Sequence, residues 1–139
     1  MKKLLYLFIA SAMLLSCESE DETSMNSDPI VGKWQLTSTT ENGTETSSDC
    51  ERKSTVTFSS DGSFTYFSSY DDGGANCSNE SSSGTWKNSG NSNYTLDFSN
   101  GDSGDTKINF SNSNKVFSTT DTDDFNGTTT IYIETYKKI

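Results

Sequence analysis

Histidine is absent from this chain, proline occurs once, at Pro29, and arginine once, at Arg52. Without histidine, the commonest metal ligand is missing, and so is the side chain best suited to proton transfer near neutral pH. Cysteine is scarce as well, at three residues: Cys17, Cys50 and Cys77. Basic residues number 10 against 20 acidic ones, for a formal charge of −10. That balance repels phosphate backbones and excludes nucleic acid as a partner. Apolar residues make up only 29% of the chain, but aromatics reach 12% and recur in alternating runs. A thin, aromatic core is expected, with little stability to spare and a use for a covalent staple.

Only one long apolar run is present, Leu4 to Leu15, interrupted by Tyr6 and Ser11 and preceded by Met1-Lys2-Lys3. It falls short of the about 20 residues that span a bilayer as a helix. It fits the apolar core of a secretory signal. The run ends in Leu14-Leu15-Ser16-Cys17, which resembles the lipobox of bacterial lipoproteins; an ordinary secretory signal is the alternative. The resemblance implies that residues 1–16 are removed and that Cys17 carries the lipid, palmitate or a similar acyl chain. One acyl chain anchors weakly, but the two or three on such a cysteine hold without protein insertion. Next comes Glu18-Ser19-Glu20-Asp21-Glu22, which resembles the acidic export signal of Bacteroidetes-type lipoproteins. The implied location is the outer membrane, at the cell surface, with the periplasmic face as the alternative. Residues 17–29 also read as a solvated, acidic tether.

Removing residues 1–16 leaves 123 of 139 residues; it takes away Lys2 and Lys3 and no acid, so the formal charge moves from −10 to −12. One domain is expected, residues 30–139. No helical period appears in it. Short β-branched and aromatic runs alternate with turn clusters instead. Strands are expected at Ile30–Thr40, Lys53–Ser59, Ser63–Tyr70, Ser83–Lys87, around Tyr94, Leu96 and Phe98, around Ile108 and Phe110, at Lys115–Thr120 and at Thr128–Lys138. Asp71–Ser82, Asn88–Ser92 and Asp121–Gly127 read as loops or turns, and Asp61-Gly62 as a hairpin turn. About eight strands in consecutive hairpins favour an all-β, up-and-down antiparallel barrel. Its interior is either filled or holds one small ligand.

Export puts Cys50 and Cys77 in an oxidising compartment, where a disulfide persists and only one pairing is open to them. Closing that loop stabilises the fold by roughly 3–4 kcal/mol on the chain-entropy model. Two metal-ligating thiolates are the alternative, though no histidine or further cysteine would complete the set.

The domain opens Ile30-Val31-Gly32-Lys33-Trp34-Gln35-Leu36, continues with Phe58-Ser59-Ser60-Asp61-Gly62-Ser63-Phe64, and later has Gly84-Thr85-Trp86. This order, around a pair of cysteines, resembles the small lipocalin-like domains of exported lipoproteins over roughly residues 30–138. The resemblance implies a barrel whose base is plugged by Trp34, with Gly32 letting the backbone pass close by. In lipocalins an arginine near the last strand stacks on this tryptophan. Here the last strand offers only Lys137 and Lys138, which can cover the ring less specifically.

Catalytic groupings are missing. The serines lie in turns without a base to activate them. Asp121-Thr122-Asp123-Asp124 fails as a calcium loop, because Asn126 and Tyr132 stand where glycine and glutamate are needed. No enzyme, cofactor or metal site is expected. Two non-enzymatic functions remain. One is a binding module for a small apolar molecule, lined by Phe58, Phe64, Tyr66, Trp86, Leu96, Phe98, Ile108 and Ile133. The other is a filled barrel serving as a cell-surface structural or protein-interaction module, its contacts made by exposed aromatics such as Phe67, Tyr70, Tyr132 and Tyr136.

Overall fold

A computed structural model describes residues 27–74 and 76–139. Cys17, the signal segment and most of the tether lie outside the described residues. Nine strands run in chain order: β1 (Gly32–Glu41), β2 (Thr44–Glu45), β3 (Thr55–Phe58), β4 (Ser63–Asp71), β5 (Cys77–Gly90), β6 (Asn93–Phe98), β7 (Ser103–Ser111), β8 (Val116–Phe125) and β9 (Thr128–Lys138). A single 3-10 turn, Glu51–Lys53, precedes β3. All neighbours are antiparallel, and β1 pairs with both β3 and β9. That second pairing closes eight strands into a barrel, with β2 a two-residue flap on β1. Closure pairs the two end strands, while the β4–β5 and β8–β9 hairpins extend past it: β5 has no β6 partner before Gly84, and β8 no β7 partner beyond Thr119.

The interior follows the period of two. Val56 and Phe58 on β3, Phe64 on β4, Tyr94 on β6, Ile108 on β7, Phe117 on β8 and Tyr136 on β9 are all buried. A bulge in β1 changes the parity there: Leu36 faces Tyr136, but Ser38 faces Thr135 and Thr39 faces Glu134. One extra residue at Thr37 therefore moves the inward side from Leu36 to Thr39. Aromatic rings form a connected belt. Tyr136 stacks on Phe117 at 4.8 Å, Phe117 meets Trp34 edge-on at 4.7 Å, and Phe64 meets Phe98 edge-on at 5.1 Å. Such pairs are each worth roughly 0.5–1.5 kcal/mol beyond their burial.

Cys50 and Cys77 form the disulfide, with Cα atoms 5.4 Å apart. It ties the segment before β3 to the first residue of β5.

Two segments expected to be loops are strands. Of Asp71–Ser82, the part from Cys77 onward belongs to β5, and its whole first half pairs with β4, from Asp71↔Cys77 to Phe67↔Ser81. The segment expected as a loop at Asp121–Gly127 is mostly β8, paired with β9 down to Phe125↔Thr128. Both extensions stand where neither face meets the core, so no apolar alternation marks them. Backbone hydrogen bonding holds them in the sheet, helped at β5 by the disulfide and at β8 by the Thr129 hydroxyl donating to Asp124. The real turn is Asn126-Gly127, with φ of +50° and +79°, the two-residue geometry that matches strand twist. The turn expected at Asn88–Ser92 is likewise shorter, since β5 runs on to Gly90.

Candidate functional site

The barrel has a plugged end and an open end. At the plugged end Trp34 is fully buried and its Nε1 donates to the Ile30 carbonyl at 2.7 Å. Lys138, four residues past Glu134 on β9, brings its ammonium to 5.0 Å from the Trp34 ring centroid. The same Nζ donates to the Pro29 carbonyl at 3.5 Å. Gly32 makes this approach possible. Its φ is +136°, and a Cβ there would lie 2.5 Å from Lys138 Cε. Asp28 finishes the plug. Its Oδ1 accepts from the Tyr94 hydroxyl at 2.7 Å and from the Ile30 amide at 3.0 Å, and Oδ2 accepts from Asn88 at 2.6 Å. Burial first, and the Asp28 carboxylate second, push the Tyr94 phenol above its ordinary range.

Gly84 and Trp86 repeat the pattern in the wall. A Cβ on Gly84 would lie 2.0 Å from the Asp97 carbonyl oxygen, so β6 can approach only because glycine stands there. Trp86 Nε1 donates to the Ser59 carbonyl at 3.0 Å, which fastens β5 to the β3–β4 turn.

Above the plug the interior is hollow. A chamber of about 310 Å³ is walled by Phe58, Phe64, Leu96, Phe98, Ile108 and Phe117, with Val56, Tyr66, Thr106, Thr119, Glu134 and Tyr136 completing it. It shares Thr106, Thr119 and Glu134 with a second space of about 410 Å³ toward the open end, whose other walls are Thr39, Asp105, Thr120, Asp121 and Tyr132. An apolar floor thus leads into a polar, acidic mouth. Glu134 stands at the neck between them, and its Oε2 accepts from the Tyr136 hydroxyl at 2.8 Å. Burial, then the Glu134 charge, raise both the Tyr136 and the Tyr66 phenols above the usual range. Two neutral hydroxyls therefore flank one carboxylate.

Six residues expected to line a ligand site do line the chamber: Phe58, Phe64, Tyr66, Leu96, Phe98 and Ile108. Trp86 and Ile133 do not. Trp86 packs into the wall beside Phe58 and Tyr94. Ile133 pairs with Thr40 and Thr120 on the opposite side of β9 from Glu134 and Tyr136. Hydrophobicity had suggested the isoleucine side of β9, and closure against β1 selects the tyrosine side. Val56, Phe117, Glu134 and Tyr136 went unexpected; the period of two, counted from Phe58 and from Tyr132, was the signal that places Val56, Glu134 and Tyr136. Tyr136, expected on the outside, is buried. Among the described residues no group of three or more acids or cysteines is arranged to hold a metal.

The model of the lipocalin-like domain family matches residues 30–117, from the start of the plug to the first inward residue of β8. The chain belongs to the lipocalin-like domain family. All three motifs, at Gly32-Trp34, Phe58–Phe64 and Gly84-Trp86, fall inside the matched stretch. Among solved structures, this lipocalin-like barrel is similar to the possum milk whey lipocalin trichosurin, crystallised at pH 4.6 with bound 4-ethylphenol. The two share 12% identity and a TM-score of 0.46, over 76% of this chain and 73% of that one. No curated protein matches the sequence.

Proposed function

We propose that this lipocalin-like protein is a non-enzymatic binding module that takes a small, largely apolar molecule into its barrel and holds it at a membrane through a lipid on Cys17. The observation that carries the binding reading is the chamber of about 310 Å³ walled by aromatic and aliphatic side chains. Close-packed interiors contain few voids larger than a water molecule. Ligand pockets begin at about 300 Å³, mostly apolar with a few placed polar groups. The size favours a ligand of one or two rings over a long acyl chain. Asp28 fastens the end of the tether to the plugged end, through Tyr94 and Asn88. An anchor at Cys17 would therefore join the barrel at its plugged end. The reading places the protein at the outer membrane, displayed on the cell surface.

Titration with a fluorescent apolar probe tests the binding reading. Saturable, one-site binding is expected, together with its loss in Thr119→Trp, where an indole grows from the wall into the chamber. Absence of saturable binding across a panel of single-ring, two-ring and acyl probes would contradict it.

The interaction reading has less behind it. Phe67 and Tyr70 are exposed on β4, whereas Phe125 and Ile131 are exposed on the β8–β9 hairpin. Those strands are not neighbours in the sheet, so the two pairs do not merge into one patch.

A further inference from the structure

The residues at the neck narrow the ligand further, on the assumption that the chamber is a binding site. Glu134 is the one carboxylate among the chamber walls, and Asp105 and Asp121 join it at the mouth. Neither space has a lysine or arginine in its walls. Among the described residues the ion pairs are those of Arg52 with Glu45 and Asp49, so Glu134 has no cationic partner there. Its Oε2 is occupied by the Tyr136 hydroxyl, while Oε1 has no protein donor among the described residues. No fully buried side-chain oxygen or nitrogen lacks a partner among those residues, so the free Oε1 is not sealed off, and Glu134 lines both the chamber and the mouth. Tyr136 brings a neutral hydroxyl to the carboxylate, so its hydrogen bond there leaves the negative charge of Glu134 uncompensated.

We infer that the chamber selects a small primary amine: a ring-sized apolar body resting on Phe64, Phe98, Ile108 and Phe117, with its ammonium donating to Glu134 at the neck. An ammonium meeting a carboxylate in partly dry surroundings makes a charge-assisted hydrogen bond, roughly twice as strong as a neutral one. A carboxylate-bearing ligand of the same shape would place like charges together, with no cation to separate them. The acidic mouth extends the preference outward, drawing cations in and turning anions away.

Three probes of one shape and different heads test this by calorimetry at low salt: phenethylamine, phenethyl alcohol and hydrocinnamate. In the wild-type protein the amine should bind about tenfold or more tightly than the alcohol, and hydrocinnamate should not bind measurably. Glu134→Gln keeps the size and an acceptor for Tyr136. It should abolish the preference for the amine while leaving the alcohol within about threefold of its wild-type affinity. Tyr136→Phe removes the hydroxyl but keeps the carboxylate, and should retain the preference. Equal binding of amine and alcohol, or a preference unchanged in Glu134→Gln, would overturn the inference and leave the chamber a ligand site. If none of the three binds saturably the inference is overturned, and the wider panel of two-ring and acyl probes decides whether the binding reading falls with it.

Discussion

Lys138 and Trp34 meet across the seam of the barrel, the ammonium 5.0 Å from the ring centroid, at directly opposed positions of β9 and β1. The contact joins the first and last strands of the domain, so it closes the barrel in side chains as well as in backbone. It depends on Gly32, whose missing Cβ leaves room for the lysine stem.

Gly32→Ala should therefore destabilise the protein, by about 1–3 kcal/mol from the strained φ alone, with displacement of Lys138 in addition. Lys138→Ala removes a contact worth about 0.5–2 kcal/mol. The double variant should cost less than the two singles together, because the steric part of the first needs the lysine of the second. Urea unfolding of the three variants measures this. Strict additivity would show that the lysine and the glycine act independently.

Reduction of the Cys50–Cys77 bond should lower stability by roughly 3–4 kcal/mol, the entropy of the opened loop. Non-reduced peptide mapping by mass spectrometry should recover the two cysteines in one linked fragment. The Cys50→Ser, Cys77→Ser pair should match the reduced protein in its unfolding midpoint. An oxidised and a reduced protein that melt together would mean that the loop is held by packing.

Alkaline pH should weaken the fold. Tyr66, Tyr94 and Tyr136 all have phenols raised above the ordinary value, each by burial first and by a neighbouring carboxylate next. In the unfolded chain they ionise near pH ~10. Below that pH both states keep the protons and the shifts contribute nothing. Above it the unfolded chain releases protons that the folded one retains, so stability falls as pH rises. Urea midpoints taken from about pH 8 to about pH 11 should drop above pH ~10, and Tyr136→Phe should make the drop shallower. A midpoint flat across that range would contradict the buried, neutral phenols.

Cys17→Ser tests the anchor. The exported protein should incorporate labelled palmitate, and the variant none; the variant precursor should stay uncut or be released soluble. Its barrel should melt as the wild type does, since Cys17 lies outside the domain and outside the disulfide. Equal label in both proteins, or none in the wild type, would end the lipoprotein reading.

Much of the barrel was legible because core strands carry their own signature. Val56 and Phe58 alternate with threonines, and Tyr94, Leu96 and Phe98 alternate with polar residues, so the inward side of β3 and β6 could be read directly. The Gly-x-Trp motif could be read because glycine and tryptophan are costly to place without a reason. Three features were hidden. Residues Cys77–Ser82 and Asp121–Phe125 lie in sheet beyond the core, where Ser, Asn, Thr and Asp are exposed whether paired or not. The bulge at Thr37 leaves no mark in composition. Glu134 is hidden because a carboxylate on an apolar strand has the pattern of a solvent-facing residue, while the isoleucines beside it have the pattern of a core. The choice between the two sides of β9 is made by its register with β1 and β8, a long-range fact that no local window contains.

Backbone amide spectra of the isotope-labelled barrel, recorded while phenethyl alcohol is added, test the central claim most directly. The account expects saturable shifts concentrated at Leu96, Phe98, Ile108, Phe117, Glu134 and Tyr136, on four consecutive strands whose inward residues wall the chamber. Shifts scattered over outward residues such as Phe67 and Ile131, or a spectrum that does not change, would contradict a ligand site inside the barrel.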